Sequence, residues 1–139
     1  MKKHIILGLI AVMAVAFTFS SCGKYEDGPS FSLLTKKMRI TGDWKLTNYT
    51  SNGTDVTSVI VAFWGSSYEL QIEKDNSYKM TGNVNESGIW SLGADKDDIT
   101  FTPSSGTPST YRILRLKNTE LWLRYTNSNG TYDVIKFNQ

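Results

Sequence analysis

The chain reads as all-β, a small eight-stranded up-and-down antiparallel barrel, preceded by a segment that does not belong to the domain. Three observations carry that expectation. From about residue 42 onward, apolar residues recur at every second position, the period of a strand with one buried face. Clusters of Asn, Asp, Gly, Ser and Pro interrupt the alternation at short intervals, as hairpin turns require. About eight such segments follow one another without a long crossover, and a meander of that kind closes without open edges as a barrel.

The N-terminal segment has the pattern of an export signal rather than of the domain. Met1-Lys2-Lys3-His4 is a positive opening, and residues 5–17 carry no charge. This is the layout of a secretory signal, and the run falls short of the roughly 20 apolar residues that span a bilayer. Phe19-Ser20-Ser21-Cys22 resembles a lipobox, with a large apolar residue, two small ones and a cysteine. The resemblance implies cleavage before Cys22, lipidation (palmitate and diacylglyceryl chemistry) on its sulfur, and anchorage to a membrane. Residues 1–21 are thus expected to be a lipoprotein signal peptide. A plain secretory signal beside a free thiol is the alternative.

Removing residues 1–21 alters the chemistry on offer. Lys2 and Lys3 are lost, so 15 basic residues fall to the 13 that balance the 13 acidic ones. The concentrated positive charge of a nucleic-acid binder is therefore not expected. His4, the only histidine, is lost as well, and Cys22 is the only cysteine. Without them there is no Ser-His-Asp or Cys-His machinery and no His/Cys zinc site. A non-enzyme without cofactor or metal is expected. Carboxylates, lysines, hydroxyls and tyrosines are the chemistry left over; paired acids can build an enzyme, and no spacing marks such a pair.

Residues 22–41 read as a lipidated tether and lead-in. Gly23-Lys24-Tyr25-Glu26-Asp27-Gly28-Pro29-Ser30 is polar and turn-rich, a spacer between lipid and domain. Lys24, Glu26 and Asp27 resemble charged sorting signals of Gram-negative lipoproteins, and a solvated linker gives the same pattern. Gly23 differs from the aspartate associated with inner-membrane retention, so the expected location is the outer membrane. Residues 33–40 suggest one or two helical turns leading into or plugging the barrel.

Residues 42–139 are the domain. Its strands are expected at 44–49, 68–73, 78–81, 88–92, 99–101, 109–116, 120–125 and 131–137. Tyr68-Glu69-Leu70-Gln71-Ile72-Glu73 alternates most cleanly, and Lys74-Asp75-Asn76-Ser77 turns it into the next strand. Trp44, Tyr68, Trp90 and Phe101 are large inward positions that fill much of a small barrel. Between the first two strands, Val59-Ile60-Val61-Ala62-Phe63-Trp64 is either a lid over the mouth or an extra buried strand or helix, which periodicity cannot separate.

Gly42-Asp43-Trp44, Gly88-Ile89-Trp90-Ser91-Leu92, Leu121-Trp122-Leu123-Arg124-Tyr125 and Ile135-Lys136-Phe137 resemble, in order and spacing, strands of lipocalin-like domains in bacterial cell-envelope lipoproteins. The Thr-Asp-Tyr motif of lipocalins proper is missing; Thr131-Tyr132-Asp133 has its letters in another order. The resemblance implies a pocket inside the barrel for a small apolar or amphipathic ligand. Its candidate contacts are Phe63 and Trp64 over the mouth and Tyr68 and Trp90 within. The alternative is a non-catalytic interaction or accessory subunit of an envelope protein assembly. Membrane through Cys22, a small ligand and an envelope protein are the expected partners, with no nucleic acid.

Weaker features have plain readings. Asp95, Asp97 and Asp98 could chelate calcium but fit a solvated hairpin tip, and the sequons at Asn48, Asn52, Asn85 and Asn129 fit Asn-rich turns. Arg112, Arg115 and Arg124, near Tyr111, Trp122 and Tyr125, could form a basic aromatic patch or lay their stems over apolar surface.

Overall fold

A closed ring of antiparallel strands follows from the alternation. The computed structural model describes residues 34–139; the expected signal peptide, Cys22 and most of the expected tether lie outside the described residues. A short helix α1 (Lys36–Ile40) leads into β1 (Gly42–Ser51), a two-residue β2 (Thr54–Asp55) and a second helix α2 (Thr57–Trp64). Then come β3 (Glu69–Ile72), β4 (Ser77–Thr81), β5 (Glu86–Leu92), β6 (Asp98–Pro103), β7 (Ser109–Leu116), β8 (Glu120–Thr126) and β9 (Tyr132–Asn138). Each pairs with the next from β3 to β9, and β1 closes the circle by pairing with β3 on one side and β9 on the other. The result is the expected eight-stranded barrel, with β2 as an added stub on the end of β1.

Two bulges set which side chains face in. Simple alternation from Ile113 would turn Arg115 into the barrel. A register shift between Ile113 and Arg115 sends it outward opposite Trp122, and Leu116 returns to the core opposite Leu121. A second shift between Leu46 and Asn48 likewise leaves Leu46 and Tyr49 on the inner face, opposite Phe137 and Ile135. A bulge thus keeps a guanidinium out of the interior.

Turn chemistry repeats. The Asp75 carboxylate accepts from the Ser77 N–H and hydroxyl at 2.9 and 2.6 Å, and Asn129 does the same for Thr131 at 3.0 and 2.6 Å. Both are Asx turns, which explains the sequon spelling at Asn129 without glycosylation.

One end of the barrel is floored. Thr35 caps α1 by accepting from the Met38 N–H at 3.2 Å. Ile40 is fully buried, the Trp44 indole donates to its carbonyl at 2.7 Å, and Arg39 donates to the Leu116 carbonyl at 2.8 Å. Lys36 pairs with Asp97 at 3.0 Å. Asp97 also meets Arg112 at 3.6 Å, while Asp95 accepts from the Asp97 N–H. These carboxylates are turned to different partners rather than to a common centre.

Gly88 is a tight point in the wall. It lies opposite Tyr78, and a Cβ there would run into the Thr102 carbonyl oxygen, a backbone atom that cannot swing away. Gly88→Ala is expected to cost about 1–3 kcal/mol by overpacking, read as a lower urea midpoint at unchanged slope.

Candidate functional site

The other end of the barrel is not filled. Above a base made by Leu70, Phe101, Leu123, Ile135 and Phe137 lies a cavity of about 230 Å³ that opens between α2 and the β4–β5 and β6–β7 connections. That is below the roughly 300–1,000 Å³ of drug-sized sites and above the roughly 150 Å³ that holds a benzene. Its capacity is one ring with a short substituent.

Trp64, Tyr68, Phe101 and Tyr111 line the cavity and belong to two arcs of contacting aromatic rings. Trp64 stands edge-on to Tyr49 at 5.6 Å between centroids and lies against Tyr68 at 4.6 Å. Across the opening, Phe101 contacts Tyr78 at 4.9 Å and Tyr111 at 5.8 Å, and Tyr111 reaches Tyr125 at 5.5 Å. Such contacts hold the rings against one another.

Local structure explains how Trp64 arrives there. β1 pairs with β3 only through residues 42–45 and with β2 only at Thr50 and Ser51, so residues 46–49 between them have a vacant flank. α2 occupies it: Thr57 accepts from the Tyr49 N–H at 2.8 Å and donates to Asp55 at 2.6 Å. At the other end of the helix, Gly65 takes φ 97° and the Asn83 N–H donates to the Trp64 carbonyl at 2.7 Å. A Cβ on Gly82 would strike that same carbonyl, so Gly82 is what lets α2 close onto the end of β4.

The four candidate contact residues divide. Trp64 and Tyr68 come together on the cavity wall. Phe63 does not join them: consecutive helical residues are about 100° apart around the axis, and its side chain is 70 % exposed on the outer face of α2. Trp90 is buried toward the floor, donating to the Glu73 carbonyl at 2.9 Å with Lys37 over its ring, and it is not part of the cavity lining. The apolar run is thus a helix with one wall residue rather than a two-residue lid.

Sequence reasoning missed Glu86, Tyr49 and Asp133, and placed Tyr111 in a basic aromatic patch instead of the barrel interior. By register all four fall on the inner face, Glu86 at its exposed rim: Glu86 opposes Met80, Tyr49 opposes Ile135, Tyr111 opposes Ile99, and Asp133 opposes Tyr125 and Ser51. Parity with Gly88 and Trp90 along β5, or with Ile135 and Phe137 along β9, was the available signal.

The basic aromatic patch is broken up by the same parity. Tyr111 and Tyr125 face inward, Arg112 pairs with Asp97 and Asp98, and Arg115 stacks outside on Trp122 at 4.0 Å, with Lys136 at 4.2 Å from the same ring.

The phenols are electrostatically biased toward neutrality. Burial pushes Tyr49 well above the usual 10.0, and Asp133, accepting its hydroxyl at 3.1 Å, pushes further. Burial likewise raises Tyr68, with Tyr111 and Glu86 adding. Tyr78 is raised by burial and by its 2.6 Å hydrogen bond to Glu86. Tyr111 moves up by burial and by Tyr125 and Glu86, against a smaller effect of Ser109.

Because the folded values lie above the unfolded ones, the stabilisation is complete below about pH 10 and is lost as pH rises beyond it. Alkaline titration is expected to show these four phenolates appearing together with unfolding rather than before it. Phenolate absorbance and circular dichroism followed in parallel check this.

A family model described as lipocalin-like domain matches residues 40–123, from the end of α1 into β8. A search of curated proteins finds no match. Among solved structures, a DUF4847 family protein from Bacteroides vulgatus ATCC 8482 is similar at a TM-score of 0.50 and 11% identity, covering 74% of this chain and 95% of that one. At that identity the likeness is one of fold. The match over most of the barrel, together with the closed eight-stranded ring, settles the family: the chain belongs to the lipocalin-like domain family.

Proposed function

We propose that this protein is a lipid-anchored lipoprotein of the outer membrane whose barrel holds one small amphipathic ligand without transforming it. The observation that carries the ligand reading is the cavity at the open end, with an apolar base and polar tyrosine and glutamate groups nearer the mouth. Ligand sites are built in this way, mostly apolar with a few placed polar groups. The lipobox-like Phe19-Ser20-Ser21-Cys22 supports the anchor.

Native mass spectrometry of the protein purified from its own cell envelope tests the ligand reading. The expected result is a retained small molecule that Met80→Trp, which fills the cavity from its wall, expels. A protein that carries no small molecule and takes up none from an envelope extract overturns it. Cys22→Ser tests the anchor separately and is expected to move the protein from the membrane fraction to the soluble one.

A second reading, an accessory subunit of an envelope assembly, is favoured by one observation. Val59 and Phe63, one helical turn apart on α2, are 52 % and 70 % exposed, an apolar pair of the kind found at contact surfaces. A copurifying envelope protein lost on Phe63→Asp would support it.

A further inference from the structure

The cavity is one-sided in charge, and that narrows what it can hold. We infer that the ligand is a small organic cation: an ammonium group on an aromatic or compact apolar body, with the ammonium at Glu86 and the body among Trp64, Tyr68, Phe101 and Tyr111. This rests on the reading of the cavity as a ligand site and goes further by naming the ligand's charge.

The first support is the sign of the lining. Among the described residues, Glu86 is the sole charged one on the cavity wall. Asp133, facing the barrel interior beside Tyr49, adds negative potential from the same end, felt at Tyr49 and Tyr111. The second support is the placement of the cations. Lys79, Arg112, Arg124 and Lys136 sit in β4, β7, β8 and β9 at positions alternating with inward Tyr78, Tyr111, Leu123 and Ile135, so they face outward. Arg115 is turned out by the β7 bulge onto Trp122. Among the described residues, no lysine or arginine lines the cavity. A carboxylate ligand entering it would meet the like charge of Glu86, at the exposed rim, with no cation on the wall to offset the repulsion.

The third support is the wall chemistry. Aromatic faces attract cations through their quadrupoles, and the two arcs supply Trp64, Tyr68, Phe101 and Tyr111 around one opening. Tyr78 donates to Glu86 Oε1 at 2.6 Å and so orients the carboxylate. A carboxylate has about four acceptor positions, so one phenol does not exhaust it.

The experiment is a charge series on one skeleton: 2-phenylethylammonium, 2-phenylethanol and phenylacetate, titrated into the protein near neutral pH while the Trp64 indole N–H resonance is followed by NMR. The ammonium compound is expected to bind about three- to fivefold more tightly than the alcohol, the range of a partly exposed ion pair, and phenylacetate more weakly than either. Added salt is expected to shrink the gap between ammonium and alcohol. Glu86→Gln is expected to bring the ammonium compound to the level of the alcohol. If that variant does not fold, the series on the unaltered protein decides by itself. Alcohol binding equal to or tighter than ammonium binding overturns the cation assignment and leaves the cavity a ligand site. If none of the three perturbs Trp64, the assignment falls together with the site reading on which it rests.

Discussion

Replacing Trp44 with alanine is expected to remove about 3–5 kcal/mol of stability, the range for deleting a large buried aromatic side chain. Trp44 is fully buried on the inner face of β1 and donates its indole N–H to the Ile40 carbonyl at 2.7 Å. That carbonyl ends α1, so one side chain both fills the floor of the barrel and ties down the helix that covers it. Domains of this size are stable by about 5–15 kcal/mol in total, so the variant should be marginal. Trp44→Phe keeps most of the ring and loses the hydrogen bond, with an expected loss of about 1–3 kcal/mol. Urea unfolding of the two variants checks the order. A loss below about 1 kcal/mol for Trp44→Ala, smaller than a typical large-to-small core change, would show that the floor collapses around the gap and that α1 is held by its other contacts. Those are the Arg39 and Lys36 bonds to Leu116 and Asp97.

The fold was legible because its strands alternate and its turns carry specific chemistry. Leu70, Ile72 and Tyr78 are buried, while the intervening Gln71 and Lys79 are not. Asp75 and Asn129 accept bonds two residues ahead to make the turns at the places their sequence suggests. What was not legible has physical reasons. The run of residues 59–64 is apolar on every side and rich in β-branched Val and Ile, which lowers helix propensity. It is helical because tertiary context decides: the vacant flank of β1 accepts it, Asp55 and Thr57 start it, and Gly65 ends it. Tyr49, Tyr111 and Asp133 are ordinary strand residues by sequence, and only closure of β1 on β9 brings Tyr49 to Asp133, 84 positions away. The outward turn of Arg115 depends on a bulge that period-two reading cannot anticipate.

The pair Phe63 and Trp64, indistinguishable as neighbours in an apolar run, are expected to behave in opposite ways. Trp64→Ala removes the ring that contacts both Tyr49 and Tyr68 and stands at the cavity opening. Each aromatic pair contributes about 0.5–1.5 kcal/mol beyond burial, so with the partial burial of the indole the loss should reach about 2–4 kcal/mol. A ligand resting on that wall should bind about tenfold or more weakly. Phe63→Ala removes a ring that is 70 % exposed and should change stability by no more than about 0.5 kcal/mol, with ligand affinity unaltered. The two variants, compared by urea unfolding and by titration with 2-phenylethylammonium, separate a fixed wall from a moving lid. If Phe63→Ala weakens the ligand as much as Trp64→Ala does, α2 must rotate on binding to carry Phe63 inward. The hydrogen bond from Asn83 to the Trp64 carbonyl and the close approach of Gly82 to that carbonyl would then have to open. With both contacts intact, Trp64 is pinned and Phe63 is kept outside, so the wall should behave as fixed.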